Sequence, residues 1–142
     1  MTTERYFLKK ADKLKSRKAI DILFGKGKSF SISPLRICYL ITEFEPGIKA
    51  GFSATTKTFK KATDRNRIKR LIRESYRLQK NEITNHNILK TVGLHMFFIY
   101  TGKEVPAYNL IFEKIGAALK KLIKQLDEFE KVYLPNPNED TQ

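Results

Sequence analysis

The chain has no tryptophan, a single cysteine (Cys38) and only two histidines (His86 and His95) among its 142 residues. One cysteine excludes a disulfide bond within the chain and is typical of proteins from a reducing compartment. Cys38 lies in the apolar run 37–41, so we expect a small, buried, inert side chain. Neither histidine has further ligand-type residues at metal-site spacing, so no metal centre is predicted.

Other catalytic signatures are also missing. The acidic residues are scattered, and the sequence contains no paired carboxylates, glycine-rich phosphate loop or nucleophile elbow. No apolar stretch approaches the ~20 residues of a membrane-spanning helix, and no signal-peptide core is present. We therefore expect a cytoplasmic protein without an active site of its own. His86 is expected in an exposed loop, and His95 is expected to be a structural residue in an apolar strand.

Positive charge is abundant and unevenly distributed. The net charge is +13 and the isoelectric point is near 9.9, which indicates a polyanionic partner, with nucleic acid ahead of an anionic membrane. Residues 1–28 hold nine basic and three acidic residues, and residues 57–77 hold nine and two. The remaining segments, 29–56 and 78–142, are each balanced. If the two basic segments lie side by side, the protein has one strongly positive surface.

The segment 57–77 reads KTFKKATDRNRIKRLIRESYR and is predicted to be helical from Thr63 or Asp64, either of which is a good N-cap. Helical spacing gathers apolar residues such as Ile68 and Ile72 on one side and most arginines on the neighbouring side. A solvated surface is the ordinary interpretation of such a face. Here the acids that would separate the like charges are nearly absent, and arginine matches phosphate geometry with two parallel hydrogen bonds.

The remaining pattern predicts a single α+β domain at residues 12–131, with a basic flexible arm at 1–11 and a disordered tail at 132–142. Ser16 is expected to cap a first helix that ends near Phe24, at Gly25 or Gly27. Strands are expected at 32–42, at 48–56 and at 94–101, the last being covered on both faces. A long amphipathic helix follows Pro106.

The stretch DRNRIKRLIRESYR, preceded by GFSATTKTFKKAT, resembles the arginine-asparagine-arginine signature of the bacterial ribonuclease P protein component. The match covers roughly residues 8–126 and is strong from Gly51 to Arg77. The resemblance implies a small mixed β-sheet packed by helices, like domain 2 of ribosomal protein S5. It also implies a βαβ crossover through the basic helix, of the unusual left-handed kind.

The resemblance further implies a subunit that assists Mg²⁺-dependent, endonucleolytic removal of the 5′ leader from precursor tRNA. The catalytic RNA is expected to carry the active site and to require the Mg²⁺, so the protein itself is expected to bind no cofactor. Its expected partners are that RNA and precursor tRNA, with no membrane and no DNA. The residues expected to bind the catalytic RNA are Lys57, Lys60, Lys61, Arg65, Asn66, Arg67, Lys69, Arg70 and Arg73.

The leader is expected in a cleft between the first helix and the sheet. The family match places the aromatic residues Phe24 and, approximately, Tyr39 there, and an aromatic ring in such a cleft can stack on an unpaired base. Packing of Phe24 on the sheet is the alternative. The complete expected leader-binding set is Phe24, Tyr39, Phe52, Ser53, Lys15 and Arg17.

The sequence departs from the family pattern at two places. Ile20 occupies a position where many members have phenylalanine, which removes one stacking candidate. Thr55-Thr56-Lys57 replaces the commoner serine-lysine-lysine and removes one charge.

Three other functions compete with this hypothesis. A ribosomal protein or RNA chaperone would be equally small and basic, but composition alone does not demand the arginine-asparagine-arginine block. A helix-turn-helix DNA regulator fits poorly with the strand-rich chain. A protein nuclease would need a carboxylate or histidine cluster, which the sequence lacks.

Overall fold

The computed structural model describes residues 13–43 and 45–133. The predicted arm at 1–11 and residues 134–142 of the predicted tail lie outside this part of the chain. In chain order the elements are α1 (Arg17–Lys26), β1 (Lys28–Ile32), β2 (Leu35–Thr42), β3 (Gly47–Ala54), α2 (Ala62–Gln79), α3 (Asn81–Thr84), a 3-10 turn (Asn87–Lys90), β4 (Gly93–Tyr100) and α4 (Tyr108–Tyr133). The last helix therefore includes Val132 and Tyr133, which were expected in the disordered tail.

The four strands form one mixed sheet in the order β1-β2-β4-β3. β2 is antiparallel to both of its neighbours, whereas β3 and β4 are parallel neighbours. The connection between these parallel strands contains α2, which confirms the predicted βαβ crossover and the single α+β domain with helices packed on a small sheet. The left-handed crossover that the resemblance implies stays a prediction.

One face of the sheet, here called the core face, is covered by α2 and α4. It presents Ile37 from β2, Ala50 from β3 and Phe98 from β4, which are at most 1% exposed. α2 adds Ile72 and Tyr76, whose neighbours on the sheet include Phe52 and Phe98. Burying side chains of this size contributes about 1.5–3 kcal/mol each, so this layer supplies most of the hydrophobic stabilisation.

The opposite face, here called the open face, is only partly covered. Its residues alternate with those of the core face and are Arg36, Cys38 and Leu40 on β2, Lys49, Gly51 and Ser53 on β3, and His95, Phe97 and Ile99 on β4. The ten-residue helix α1 packs here through Leu23, next to Cys38. Burial of the Cys38 thiol confirms its expected packing role.

The prediction that the last strand is covered on both faces is wrong for this side of β4. His95, Phe97 and Ile99 are half-buried, whereas the alternate residues Met96 and Phe98 are completely buried. The physical reason is that α1 is too short to cover a sheet of four strands. The sequence of an apolar strand does not indicate how long the helix that packs on it will be.

The predicted start and end of α1 are confirmed. The Ser16 hydroxyl accepts a hydrogen bond from the backbone N–H of Ala19 at 3.2 Å, and the helix stops at Gly27. A Cβ at Gly27 would lie 2.4 Å from the carbonyl oxygen of Leu23 and 2.7 Å from that of Tyr39. Only glycine therefore allows the chain to turn this closely against β2.

Strand β1 was not predicted from the sequence. Its five residues pair with β2 through a tight turn at Ser33-Pro34, and Phe30 and Ile32 contact the core. The alternating pattern is short and contains only two apolar residues, so the sequence of this segment resembles that of a loop. The segment becomes a strand because it pairs with β2.

The first turn of α2 also differs from the prediction. The helix begins at Ala62, its N-cap is Lys61, and no side chain caps it there, so neither Thr63 nor Asp64 acts as the cap. The loop before the helix is organised by another residue of the motif, Arg65.

His86 is less exposed than predicted, because its side chain has a structural partner on α4. The ring Nδ1 accepts the backbone N–H of Ile88, so Nε2 carries the proton and donates to Asp127 Oδ1 at 2.6 Å. The imidazole is 9% exposed and joins the segment between α3 and the 3-10 turn to α4.

Candidate nucleic-acid interface

The solvent side of α2 carries Asn66 and Arg67 of the arginine-asparagine-arginine motif and the basic residues that follow it. Ile68 and Ile72 face the core, so Asn66 and Arg70 lie on the opposite side of the helix. We call the resulting surface the arginine face. Asn66, Arg67 and Arg70 are exposed on it, Lys69 and Arg73 are half-buried, and Lys57, Lys60 and Lys61 are exposed in the preceding loop. The expected RNA-binding residues thus lie on one helix and the loop before it.

Arg65 differs from the other arginines because its guanidinium is bound by the protein itself. Its Nη1 donates to the carbonyl oxygens of Phe59 at 2.7 Å and of Lys60 at 2.9 Å. Phe59 is buried and its ring contacts that of Tyr100 at a centroid distance of 5.9 Å. Arg65 therefore holds the lysine-bearing loop against the end of β4.

We expect Arg65→Gln to lower the free energy of unfolding by about 1.5–3 kcal/mol, because hydrogen bonds from a charged donor to two carbonyls are lost. Arg67→Gln should change it by less than about 0.5 kcal/mol, because this side chain is exposed. Urea unfolding of both variants measures the difference. Equal stability of the two variants would contradict the structural role of Arg65.

One of the two acids in the motif helix is paired within the helix. Arg77 donates two hydrogen bonds to the Glu74 carboxylate, through Nε and Nη2. These hydrogen bonds, more than the positive charge of Arg77 and Arg73, hold the pKa of Glu74 below its ordinary value. Glu74 is thus a charged partner of Arg77, and it neutralises little of the positive charge of the arginine face, which precedes it on α2.

A second candidate surface is the open face beside α1. Phe24, on α1, is 47% exposed, and its ring lies 5.4 Å from the ring of Phe97 on β4, at an interplanar angle of 56°. A Cβ at Gly51 would lie 2.4 Å from the ring of Phe97, so this ring leans from β4 across β3. The two rings together form a partly exposed aromatic surface. Ser53 lies near it on β3, two residues after Gly51.

The expected leader-binding residues are divided between the two faces of the sheet. Phe24 and Ser53 belong to the open face, but Tyr39 lies on the core face, where it is 8% exposed and contacts Phe30. Phe52 also lies on the core face, between the rings of Tyr76 and Phe98. The grouping of Tyr39 and Phe52 with Phe24 is therefore wrong, because alternate strand residues face opposite sides and a shift of one residue exchanges them.

Lys15 and Arg17 are exposed where the chain enters α1. Just before them, the backbone N–H of Leu14 donates to the carbonyl of Ala50 at 2.9 Å, which fixes this entry beside β3. Their positive charges consequently lie near the β3 edge of the open face. Whether they contact RNA stays a prediction.

Sequence reasoning missed three side chains of the open face: Arg36, Lys49 and Phe97. The signal was available in the alternation of β2, β3 and β4, which places these three side chains opposite the residues that face the core. Beside Lys49 lies His95, whose pKa is lowered by burial and, to a lesser extent, by the positive charge of Lys49. Lys49 is itself paired with Glu45 at 2.6 Å.

Residues 13–43 and 45–133 contain no group of three histidine, cysteine or acidic side chains that could hold a metal ion. Over the same residues, no helix is long and apolar enough to cross a membrane.

The fold and the two surfaces define a class, that of small basic α+β proteins with an arginine-rich helix on one side of the sheet and a partly open face on the other. Residues 8–127 match the family model described as Ribonuclease P. The chain belongs to this family, the protein components of a bacterial ribonucleoprotein nuclease that processes tRNA.

Individual relatives agree with this assignment. The ribonuclease P protein component of Porphyromonas gingivalis is 32% identical over 125 residues, which cover 86% of this chain and 91% of the relative. That of Chlorobium phaeobacteroides is 27% identical, with 81% of this chain and 87% of the relative covered.

Two solved structures share the fold. The Staphylococcus aureus RNase P protein superimposes with a TM-score of 0.65 at 21% identity, over 80% of this chain and 96% of that one. The Thermotoga maritima RNase P protein gives 0.60 at 24% identity, over 77% and 96%.

Proposed function

We propose that this protein binds the catalytic RNA of ribonuclease P through the arginine face and binds the 5′ leader of precursor tRNA on the open face. The observation that supports this most is that the two surfaces lie on opposite sides of one sheet. α2 packs on the core face, whereas Phe24 and Phe97 meet on the other side. A single rigid domain can thus hold two RNA segments at once.

On the arginine face, Arg67 and Arg70 act as phosphate ligands. Each guanidinium offers two parallel N–H donors to phosphate oxygens, and neither residue forms an ion pair with an acid in the described part of the chain. Asn66, Lys69 and Arg73 extend the same surface, and Arg65 positions the loop that carries Lys57, Lys60 and Lys61. Binding releases counterions from the RNA and is therefore strongly salt-dependent.

On the open face, the exposed side of Phe24 stacks on one unpaired base, which contributes about 1–3 kcal/mol and tolerates different sequences. Phe97 fixes the orientation of this ring through its direct contact. Ser53 provides a hydroxyl nearby, and Lys15 and Arg17 attract the leader backbone. Tyr39 and Phe52 have no part in this site because they are in the core.

The catalytic step belongs to the RNA subunit in this proposal. The RNA, with the Mg²⁺ that it binds, would catalyse hydrolysis of the phosphodiester bond. The protein residues bind and position the two RNA segments. The ribosomal alternative loses its support, because the family model covers nearly the whole domain.

The test is cleavage of precursor tRNA by a ribonuclease P RNA at low Mg²⁺, with and without the protein. We expect the protein to stimulate correct 5′ cleavage and to cleave nothing alone. Tight binding without stimulation of a cognate RNA would favour a different RNA-binding function.

A further inference from the structure

The outer side of α4 carries a compact positive surface that the charge balance of residues 78–142 concealed. Between Glu113 and Asp127 the helix contains four lysines and no acid. These lysines share the side of α4 opposite its buried residues Ile115, Leu119 and Leu122. We call this surface the lysine face. It consists of Lys114, Lys120, Lys121 and Lys124, of which only Lys114 is half-buried.

The acids that follow these lysines point elsewhere, towards partners within the protein. Asp127 accepts a hydrogen bond from His86 at 2.6 Å, and Glu130 accepts one from Asn87 at 3.2 Å. The negative charge of Glu128 raises the pKa of Tyr39, although burial is the larger cause, so this acid lies towards β2. The acids of the last turns therefore lie beside other parts of the protein, although Asp127 and Glu128 remain exposed to solvent.

The lysines themselves have few partners in the protein. None of the ion pairs found in residues 13–43 and 45–133 includes a lysine of this face. Lys121 alone has a defined contact, with its Nζ 4.7 Å from the centroid of the Phe30 ring. Lysines three and four positions apart, such as 120 and 124, repel each other and destabilise an isolated helix by about 0.2–0.5 kcal/mol per pair.

The lysine face and the arginine face belong to the same layer of the molecule. Both helices pack on the core face of the sheet, and Gln79 Nε2 at the end of α2 donates to the carbonyl of Phe112 on α4 at 2.9 Å. The outward sides of two neighbouring helices on one sheet face point away from that sheet together. The arginine face and the lysine face therefore lie on the same side of the molecule.

We infer that the lysine face is a second contact surface for the phosphate backbone of the same structured RNA that the arginine face binds. Charge complementarity is the reason, since four lysines, three of them exposed, lie in one layer with the arginines, and none of them forms an ion pair in the described part of the chain. Lysines one turn apart lie about 6 Å from each other, a spacing at which they face successive parts of one nucleic-acid strand. The inference rests on the proposed function, because it concerns the same partner.

The experiment compares three full-length double variants with the unchanged protein in binding to the ribonuclease P RNA across a salt series. Lys120→Gln with Lys124→Gln removes charge from the lysine face and leaves the Lys121–Phe30 contact intact. Arg67→Gln with Arg70→Gln tests the arginine face. Lys18→Gln with Lys90→Gln is the matched control, because both side chains are exposed and lie on other elements, on α1 and on the 3-10 turn.

We expect the Lys120/Lys124 variant to bind about tenfold more weakly at 0.1 M salt, with a salt slope lower by about 1.4–1.8. Its thermal stability should be unchanged or slightly higher, because removing one repulsive pair cannot weaken the helix. A defect in folding would lower both binding and stability, so weaker binding by a protein of undiminished stability is the diagnostic result.

Two results overturn the inference. The first is a salt slope for the Lys120/Lys124 variant equal to that of the Lys18/Lys90 control while the Arg67/Arg70 variant binds weakly. This result leaves the proposed function intact and makes the lysine face an ordinary solvated surface. The second is unchanged binding by all three variants, which would remove the proposed RNA interface as well.

Discussion

Replacing Arg67 and Arg70 together with glutamine is expected to weaken binding of the ribonuclease P RNA by about 10–100-fold at 0.1 M salt. Each lost phosphate contact should lower the salt slope by about 0.7–0.9, because fewer counterions are released. Both guanidinium groups are exposed on the arginine face, so the variant should fold normally. A filter-binding series from low to high salt measures both quantities.

The choice of these two arginines follows from the structure. A substitution of Arg65 with Arg67 would confuse two effects, because Arg65 also binds the carbonyls of Phe59 and Lys60. Lysine in place of Arg67 and Arg70 should keep the salt slope of the unchanged protein but only part of its affinity, because an ammonium group lacks the planar pair of donors. A slope unaffected by the glutamine substitutions would remove the arginine face from the interface.

Phe24→Ala is expected to weaken binding of precursor tRNA to the assembled holoenzyme by about 5–160-fold, the equivalent of losing one base stack of about 1–3 kcal/mol. Binding of mature tRNA should be unchanged, because it has no leader to place on the open face. Equilibrium binding of both tRNAs to the same holoenzyme gives the comparison.

The matched control for Phe24 is Phe112→Ala. Both phenylalanines are on helices and are comparably exposed, at 47% and 37%, but Phe112 is on the α4 side of the sheet. Phe24→Tyr should restore precursor binding, since it keeps an aromatic face. An equal loss for precursor and mature tRNA, or an equal effect of the Phe112 substitution, would contradict a leader contact at Phe24.

The helices were the most predictable part of this protein. The cap at Ser16, the stop at Gly27 and the apolar side of α2 are local features that a sequence displays directly. The motif helix and its parallel strands also followed from the resemblance. The first turn of α2 was predicted less well, because its organising residue, Arg65, acts on carbonyls five and six positions earlier rather than as a cap.

The composition of the open face depended on strand register and on long-range packing. Tyr39 and Phe52 are aromatic and were expected in the cleft. Each is adjacent in its strand to residues of the open face, and it therefore faces the opposite side of the sheet. Phe97 was hidden in an apolar run whose two sides the sequence did not distinguish. The space beside Gly51 is filled by the Phe97 ring.

The distribution of surface charge could also be predicted only in part from the sequence. Counting residues 78–142 gives no net charge, although the structure pairs Asp127 and Glu130 with His86 and Asn87 and leaves Lys120 without an ion pair among the described residues. The net charge of a segment therefore does not predict the net charge of a surface. The surface charge depends on the direction in which each side chain of α4 points.

The most direct test of the central claim is single-turnover cleavage of a precursor tRNA by a cognate ribonuclease P RNA at limiting Mg²⁺. The reaction is run with no protein, with the full chain and with the Arg67→Gln, Arg70→Gln variant. We predict cleavage at the correct 5′ position to be strongly stimulated by the full chain and much less by the variant, and the protein alone to be inactive. No stimulation by the full chain, or cleavage by the protein without RNA, would contradict the account.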